Sequence, residues 1–267
     1  MYSEQLLFVL LIIVLSLLFV KNTIIEHIVN TSESNNFLHK MPICVINLEH
    51  RTDRLKHIKK ELKKINLDFY SSNNLIIFKA INGSLLDLTK LKQIGIINTS
   101  PKKLRAGEIG CYFSHVLCWE KIVQSNSPYG MVLEDDVILP DYFVKNFDAI
   151  FSDVLKFDWD VFLLGRNCVK SHYDDKCKKG IQLNQIFWYP HIAGYGTHSY
   201  IIKHDAILKI KKLVYPISIP IDVLLIELAK SGKIKIISSI QALTTRRDFQ
   251  PGATADSDTQ KLNNTNY

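Results

Sequence analysis

Between residues 42 and 164, short apolar runs alternate with helix-length amphipathic stretches, and this alternation limits the possible folds more than any other feature of the chain. Residues 42–48 (PICVINL) are apolar and β-branched, as a buried strand requires. Residues 54–67 place Leu55, Ile58, Leu62 and Ile65 on one helical face and lysines on the other. Further strands are expected over residues 75–80, 129–133 and 161–164, and further helices over 106–124 and 140–155. Strands and helices in this order make an α/β sheet, expected to be largely parallel and covered on both faces. The order is also that of a nucleotide-binding α/β domain.

The 267 residues allow one large domain or two small ones. With 47% hydrophobic and 22% charged residues, a chain disordered over most of its length is excluded. Lys and Arg number 33 against 26 Asp and Glu, a net charge of +7 that suits an anionic ligand or surface. No dense basic block and no zinc-finger spacing among the five cysteines is present, so no nucleic-acid partner is expected. No internal period points to a repeat architecture.

Residues 6–20 (LLFVLLIIVLSLLFV) form an apolar run broken only by Ser16 and closed by Lys21. The run is shorter than a full span of about 20 residues, but Ile24 and Ile25 extend it if Lys21 snorkels. A membrane anchor, a cleaved signal peptide and a buried core helix are the three readings. A signal peptide wants a basic start and a small-residue cleavage site, whereas the chain opens Met1-Tyr2-Ser3-Glu4 and no such site follows. A core helix would be amphipathic, and this run is apolar all round. The expectation is therefore a single-pass N-terminal anchor over 1–25, a polar stalk over 26–40 and a folded domain over 41–267. Flanking charge does not orient the anchor. The domain would be lumenal (ER or Golgi) in a eukaryote and at the inner membrane in a bacterium. Asn30, Asn82, Asn98 and Asn263 open N-glycosylation sequons, several of which an Asn-, Ser- and Thr-rich chain shows by chance.

The most informative stretch is Met131-Val132-Leu133-Glu134-Asp135-Asp136, an apolar strand that ends in three carboxylates. Open α/β sheets bind ligands outside the carboxyl ends of their strands. Clustered carboxylates repel unless a cation or protons compensate, and hard oxygen ligands suit Mg²⁺ or Mn²⁺. In an extended segment Glu134 and Asp136 share one face and Asp135 points away, which makes a clamp for a divalent ion against a diphosphate. The plainer reading is a solvated acidic turn with Asp136 capping a helix.

Other residues carry weaker signals. Arg51 and Arg54, just past the first strand, suit bidentate pairing with a phosphate, or an ion pair with Asp53. Asn47 suits a nucleobase contact or a turn. His198 suits a third metal ligand, an acceptor contact or a core hydrogen bond. Arg246 and Arg247 suit a diphosphate contact or a solvated basic turn. Cys111 and Cys118, seven residues apart on one helix, read as core. Cys168 and Cys177 flank a polar loop and are either a disulfide or two free thiols.

Four blocks, in order, resemble glycosyltransferase family 25. Val45-Ile46-Asn47-Leu48-Glu49-His50-Arg51-Thr52-Asp53-Arg54 is similar to its V-I-N-L-D-R-R-x-D-R opening. Gly107-Glu108-Ile109-Gly110-Cys111-Tyr112-Phe113-Ser114-His115 is similar to G-E-I-G-C-x-x-S-H, Leu133-Glu134-Asp135-Asp136 to L-E-D-D, and the segment Gly196-Thr197-His198-Ser199-Tyr200-Ile201-Ile202 with Ala206 to G-T-x-x-Y-x-I-S…A. His50 and Lys203 depart from the pattern without removing a metal ligand. The resemblance implies a GT-A-like fold over residues 41–267. It implies an inverting transfer of a hexose, galactose or glucose, from a UDP-sugar to a hydroxyl of a glycan, lipid glycan or hydroxylysine. It usually implies Mn²⁺ (or Mg²⁺) on the acidic motif, here Glu134 and Asp136; His198 stands as a candidate third ligand on its residue type alone. Within the motif Glu108, Ser114 and His115 take donor-site roles beside Asn47, Arg51 and Arg54. The family carries an aspartate near Asp222, which makes Asp222 the candidate general base, although a helix N-cap is the plainer reading.

The competing classes are an inactive transferase-like binding module on a membrane anchor and a metal-dependent phosphohydrolase. The intact acidic motif weighs against the first. The second needs more ligands, or a nucleophile, than the sequence places.

Overall fold

The computed structural model describes residues 36–69, 71–98, 104–165, 180–190, 196–240, 242–247 and 258. The chain divides into two compact units, Met1–Phe37 and Leu38–Tyr267, and of the first only Asn36 and Phe37 are described. The expected anchor and most of the stalk, together with Cys168 and Cys177, lie outside the described residues. Among the described residues no helix is long and apolar enough to cross a membrane.

The second unit is built on an eight-stranded sheet in the order β2-β1-β3-β8-β5-β9-β7-β6. The strands are β1 (Ile43–Asn47), β2 (Leu75–Lys79), β3 (Tyr129–Glu134), β5 (Val161–Leu163), β6 (Gly180–Gln182), β7 (Phe187–Pro190), β8 (Ser199–Lys203) and β9 (Ile236–Ser239). A separate antiparallel pair joins β4 (Val137–Ile138) to β10 (Thr245–Arg246). The main sheet is mixed. The strands β2, β1 and β3 are parallel neighbours, as are β5 and β9, while β8 runs antiparallel between β3 and β5, and β7 antiparallel between β9 and β6. The expectation of a largely parallel sheet holds for most strands and fails at β8 and β7.

Helices cover both faces, as expected. Along β1, Cys44 and Ile46 face one way and Ile43 and Val45 the other, by the two-residue period of a strand. Cys44, Ile46, Val132 and Tyr200 join a core with Ile109, Tyr112, Val116 and Trp119 of α3 (Ala106–Gln124). The same core takes in Ala206 and Ile207 of α5 (His204–Ile210) and Ile221 and Leu225 of α6 (Ile221–Lys230). On the opposite face, Phe143, Phe147 and Phe151 of α4 (Asp141–Val154) form a chain of ring contacts that continues through Trp159 to Phe162 and Phe187. Each such aromatic pair adds roughly 0.5–1.5 kcal/mol beyond the area it buries.

Two packing details set the edge where the site lies. Helix α1 (Thr52–Lys64) holds the segment after β3, because Glu61 accepts from the Leu139 backbone N–H at 2.8 Å and His57 Nε2 lies 2.8 Å from the Val137 carbonyl. The short helix α2 (Leu88–Gln93) follows a 3-10 turn, Gly83–Leu85, that lies against the start of α3. That contact needs glycine twice. A Cβ on Gly83 would stand 1.7 Å from the Ala106 carbonyl oxygen, and one on Gly110 would stand 2.5 Å from that of Ile81.

Candidate active site

The carboxyl ends of β1, β2, β3 and β5 share an edge with the amino end of β8, because β8 runs the other way. Leu133 pairs with Ser199, and the next residues continue the ladder, the Glu134 N–H donating to the His198 carbonyl at 2.8 Å. From the other side the Gly165 N–H donates to the Ser199 carbonyl at 3.4 Å. Glu134, His198 and Gly165 are therefore neighbours across three strands, although 31 or more residues separate each pair in sequence.

A buried charge cluster stands beside this row. Asn47, at the end of β1, donates through Nδ2 to Asp135 Oδ2 at 2.7 Å. Arg54, from the first turns of α1, donates through Nη1 to Asp135 Oδ1 at 3.0 Å and lies 3.8 Å from Asp136 Oδ2. Arg246 Nε approaches the same Asp136 oxygen at 3.7 Å, carried there by the pairing of β10 with β4. The chain turns at Asp135-Asp136, so the strict alternation expected from the sequence relaxes and Arg54 straddles both aspartates. Burial and the facing Glu134 carboxylate push Asp136 up to about 7, against the pull of Arg246 and Arg54. Burial also raises Asp135, with Arg54 and Asn47 pulling the other way.

Glu134 has different neighbours. Thr197 Oγ1 donates to its Oε1 at 3.0 Å, and His115 Nε2 lies 3.4 Å from the same atom. Burial alone would raise this carboxyl, but His115, with help from His198 and Arg246, holds it down at about 2. His115 is fully buried and set from behind, since its Nδ1 lies 2.9 Å from the Tyr200 hydroxyl, which also accepts from Trp119 Nε1 at 2.7 Å. Cys111, one helical turn before His115, completes a group in which thiol sulfur, imidazole nitrogen and carboxylate oxygen lie within 4.8 Å of one another. It is half-buried and packs against the core in which Cys118 lies, as expected, while its sulfur reaches the edge of the site.

Glu134, Asp136 and His198 supply the donor types that a hard divalent ion takes, although their ligand atoms do not gather within 4.8 Å of one another as those of Cys111, His115 and Glu134 do. Asp136 Oδ1 and both ring nitrogens of His198 are buried with no hydrogen-bond partner among the described residues. Buried polar atoms rarely stay unpaired, and oxygen and imidazole donors with open lone pairs are what Mn²⁺ or Mg²⁺ takes. His198 is held neutral, because burial lowers it to about 4 in spite of Glu134. A neutral imidazole keeps the lone pair that a metal needs. The ring rests on a glycine: a Cβ on Gly165 would stand 2.0 Å from His198 Nε2 and 2.5 Å from Thr244 Oγ1.

The remaining expected site residues are placed as follows. Asp222, in the first turn of α6, accepts from the Gly196 N–H at 3.0 Å and the Val223 N–H at 2.9 Å. Its partner Gly196 directly precedes Thr197 and His198, which ties the carboxylate to the segment that carries those two residues into the site. Ser114 donates to the Gly110 carbonyl at 2.7 Å and accepts from the Ile81 N–H at 2.9 Å, tying the segment after β2 to α3. Glu108 reaches back to the Arg105 N–H at 2.7 Å and caps α3. Arg51 forks onto Asp53 at 2.9 and 3.0 Å and pairs with Asp258. Sequence reasoning missed Thr197, Tyr200, Trp119 and Gly165 as supports of the site. Thr197 and Tyr200 stand inside a quoted motif and Trp119 follows the second block four residues after His115, which was the available signal, while nothing local marks Gly165.

The model for glycosyltransferase family 25 (LPS biosynthesis protein) matches residues 40–225. Among curated relatives, procollagen galactosyltransferase 1-A of Xenopus laevis is 31% identical over 133 residues, covering 46% of this chain and 21% of that protein. A glycosyltransferase 25 family member of Aedes aegypti is 30% identical over 168 residues, 60% of this chain and 26% of that one. Inactive glycosyltransferase 25 family member 3 of Mus musculus is 29% identical over 136 residues, 48% of this chain and 22% of that one. The aligned stretch thus spans about a quarter or less of each of these relatives. The family match takes in all four sequence blocks and every side chain of the buried cluster except Arg246, and on that ground the chain belongs to glycosyltransferase family 25.

Proposed function

We propose that this chain is a metal-dependent, inverting hexosyltransferase that moves galactose or glucose from a UDP-sugar to a hydroxyl of a glycan, lipid glycan or hydroxylysine. The observation that carries the reading is the unpartnered Asp136 Oδ1 and His198 ring, buried beside Glu134 at the carboxyl edge of β3. Glu134, Asp136 and His198 would hold Mn²⁺ or Mg²⁺, and the bound ion would offset the charge that builds on a departing diphosphate.

The chain's own residues do the rest. Arg54 and Asn47 fix Asp135, and Arg54 and Arg246 flank Asp136, so the acidic turn keeps one shape when the donor arrives. Arg51 and Arg54 would supply cationic groups for the phosphates, and Asn47, at the end of β1, a hydrogen bond to the nucleoside. His115, Ser114 and Glu108 shape the donor side of α3. Asp222 accepts the acceptor hydroxyl's proton; its carboxylate is fixed by the Gly196 and Val223 N–H groups, and each oxygen keeps a second lone pair for that proton. The run at residues 6–20 anchors the domain to a membrane, on the lumenal side in a eukaryote or at the inner membrane in a bacterium.

The test measures UDP release from UDP-galactose and UDP-glucose with hydroxylysine peptides and glycans as acceptors, with and without Mn²⁺, for wild type and Asp136→Ala. The expected result is Mn²⁺-dependent turnover that the substitution abolishes while circular dichroism is unchanged. Equal turnover by the two proteins overturns the metal assignment. Mn²⁺-dependent UDP binding without turnover on any acceptor identifies a binding module instead.

A further inference from the structure

Cys111, His115 and Glu134 converge on a point beside the proposed hard-metal cluster and share with it only Glu134. His115 Nε2 is fully buried, meets hydrogen-bond geometry with none of the described residues, and points at Glu134 Oε1 from 3.4 Å. That gap is long for an N–H···O bond. It is close to the separation, about 3.3 Å, that two ligand atoms keep on a tetrahedral ion bound at about 2.0–2.1 Å. The Cys111 sulfur lies within 4.8 Å of both atoms. A tetrahedral Zn²⁺ site needs about 3.6 Å from sulfur to each, so a thiol on a half-buried helix turn closes the gap by a shift of about 1 Å at most.

The two fixed ligands are braced as metal ligands usually are. Tyr200 holds His115 by its Nδ1 at 2.9 Å and leaves Nε2 to point inward. Thr197 holds Glu134 at 3.0 Å. Spacing on α3 supplies the rest, because Cys111 and His115 stand four residues apart and share one helical face. Thiolate, imidazole and carboxylate together suit zinc, whereas manganese and magnesium avoid thiolate. Glu134 and Cys111 are both partly exposed, which leaves an approach from solvent and a fourth position for water.

We propose that Cys111, His115 and Glu134 form a Zn²⁺ site beside the hard-metal cluster, and that zinc there inhibits the chain by drawing Glu134 away from Asp136. Binding places the Cys111 sulfur on the ion as thiolate and releases its proton to solvent. The binding claim stands on the tripod alone, while the inhibition claim rests on the hexosyltransferase reading.

The experiment titrates the full chain with Co²⁺ as a spectroscopic stand-in and then displaces it with Zn²⁺, comparing wild type with Cys111→Ser and Asp136→Asn. The expected result is a thiolate-to-cobalt charge-transfer band in wild type and Asp136→Asn that is absent in Cys111→Ser. Zinc affinity should fall by at least about tenfold in Cys111→Ser, the loss that even an outer-shell partner of a metal produces. In the transfer assay, Zn²⁺ should inhibit wild type and spare Cys111→Ser. No thiolate band in folded wild type, or equal zinc affinity in Cys111→Ser, overturns the site. Equal inhibition of both proteins by Zn²⁺ overturns the inhibitory role. A cobalt band in a protein with no Mn²⁺-dependent turnover keeps the zinc site and removes the hexosyltransferase reading.

Discussion

Arg54 Nη1 donates to Asp135 Oδ1 at 3.0 Å, with side chains only 10% and 7% exposed. The bond joins helix α1 to the acidic turn after β3, and the same nitrogen lies 3.8 Å from Asp136. A buried pair of this kind is costly to break, because the partner left behind is an uncompensated charge. Arg54→Leu is expected to lower unfolding free energy by about 3–5 kcal/mol. Arg54→Lys keeps the charge but loses the planar fork and should cost less. Urea unfolding midpoints read both, and a wild-type midpoint for Arg54→Leu would show that the pair does not hold the turn.

Asp136 gives a pH dependence with a definite sign. Its folded value, raised by burial and Glu134 to about 7, stands above the ordinary 3.8 of an unfolded aspartate. Between those values the folded chain binds more protons than the unfolded one, so the stability from this group is present in acid and is lost as pH rises through about 7. In chelated buffer, wild type should lose stability relative to Asp136→Asn between about pH 4 and about pH 7. Mn²⁺ affinity of wild type should rise over the same range, since the proton must leave before the ion binds. A wild-type-minus-variant difference that stays flat with pH would refute this.

Gly165 is required by His198. Gly165→Ala puts a Cβ 2.0 Å from Nε2, and the imidazole must move or the strand must shift. Overpacking of this sort costs about 1–3 kcal/mol, and the displaced ring should remove Mn²⁺ binding as well. In a His198→Ala background the added methyl meets less, so the two costs should fall short of their sum. Strict additivity in urea unfolding would contradict the packing.

The Tyr200 hydroxyl meets two buried nitrogens at once. Tyr200→Phe leaves Trp119 Nε1 and His115 Nδ1 without the hydroxyl that each now meets at 2.7 and 2.9 Å. The expected loss is about 1–3 kcal/mol for each group left unpaired. The His115 ring should also lose its orientation, read by NMR as a changed chemical shift for its ring nitrogens. Unchanged stability together with an unchanged shift would mean that the hydroxyl is not what sets the ring.

Much of the fold is legible in the sequence because its signals are local. The helix expected over 106–124 is Ala106–Gln124 in the structure, and the strand expected over 129–133 is Tyr129–Glu134. Hydrophobic period, strand composition and turn residues all act within a few positions, so they mark elements without reference to partners. The carboxylates Glu134 and Asp136 were legible for the same reason, as an acidic end to an apolar run. Strand β8 shows where this stops: its buried pattern of apolar residues carries no period that tells one neighbour or one direction from another.

Residue order alone determined which elements form, that Glu134, Asp135 and Asp136 stand at a strand end, and that four blocks match one family. Tertiary structure decided the rest. Running β8 antiparallel brings His198 and Thr197 to Glu134, pairing β10 with β4 brings Arg246 to Asp136, and packing α3 on the sheet brings Cys111 and His115 to the same edge. The reason is physical: period and propensity act between neighbours in sequence, whereas burial, desolvation and charge pairing act between neighbours in space, and those exist only once the sheet has closed over its core.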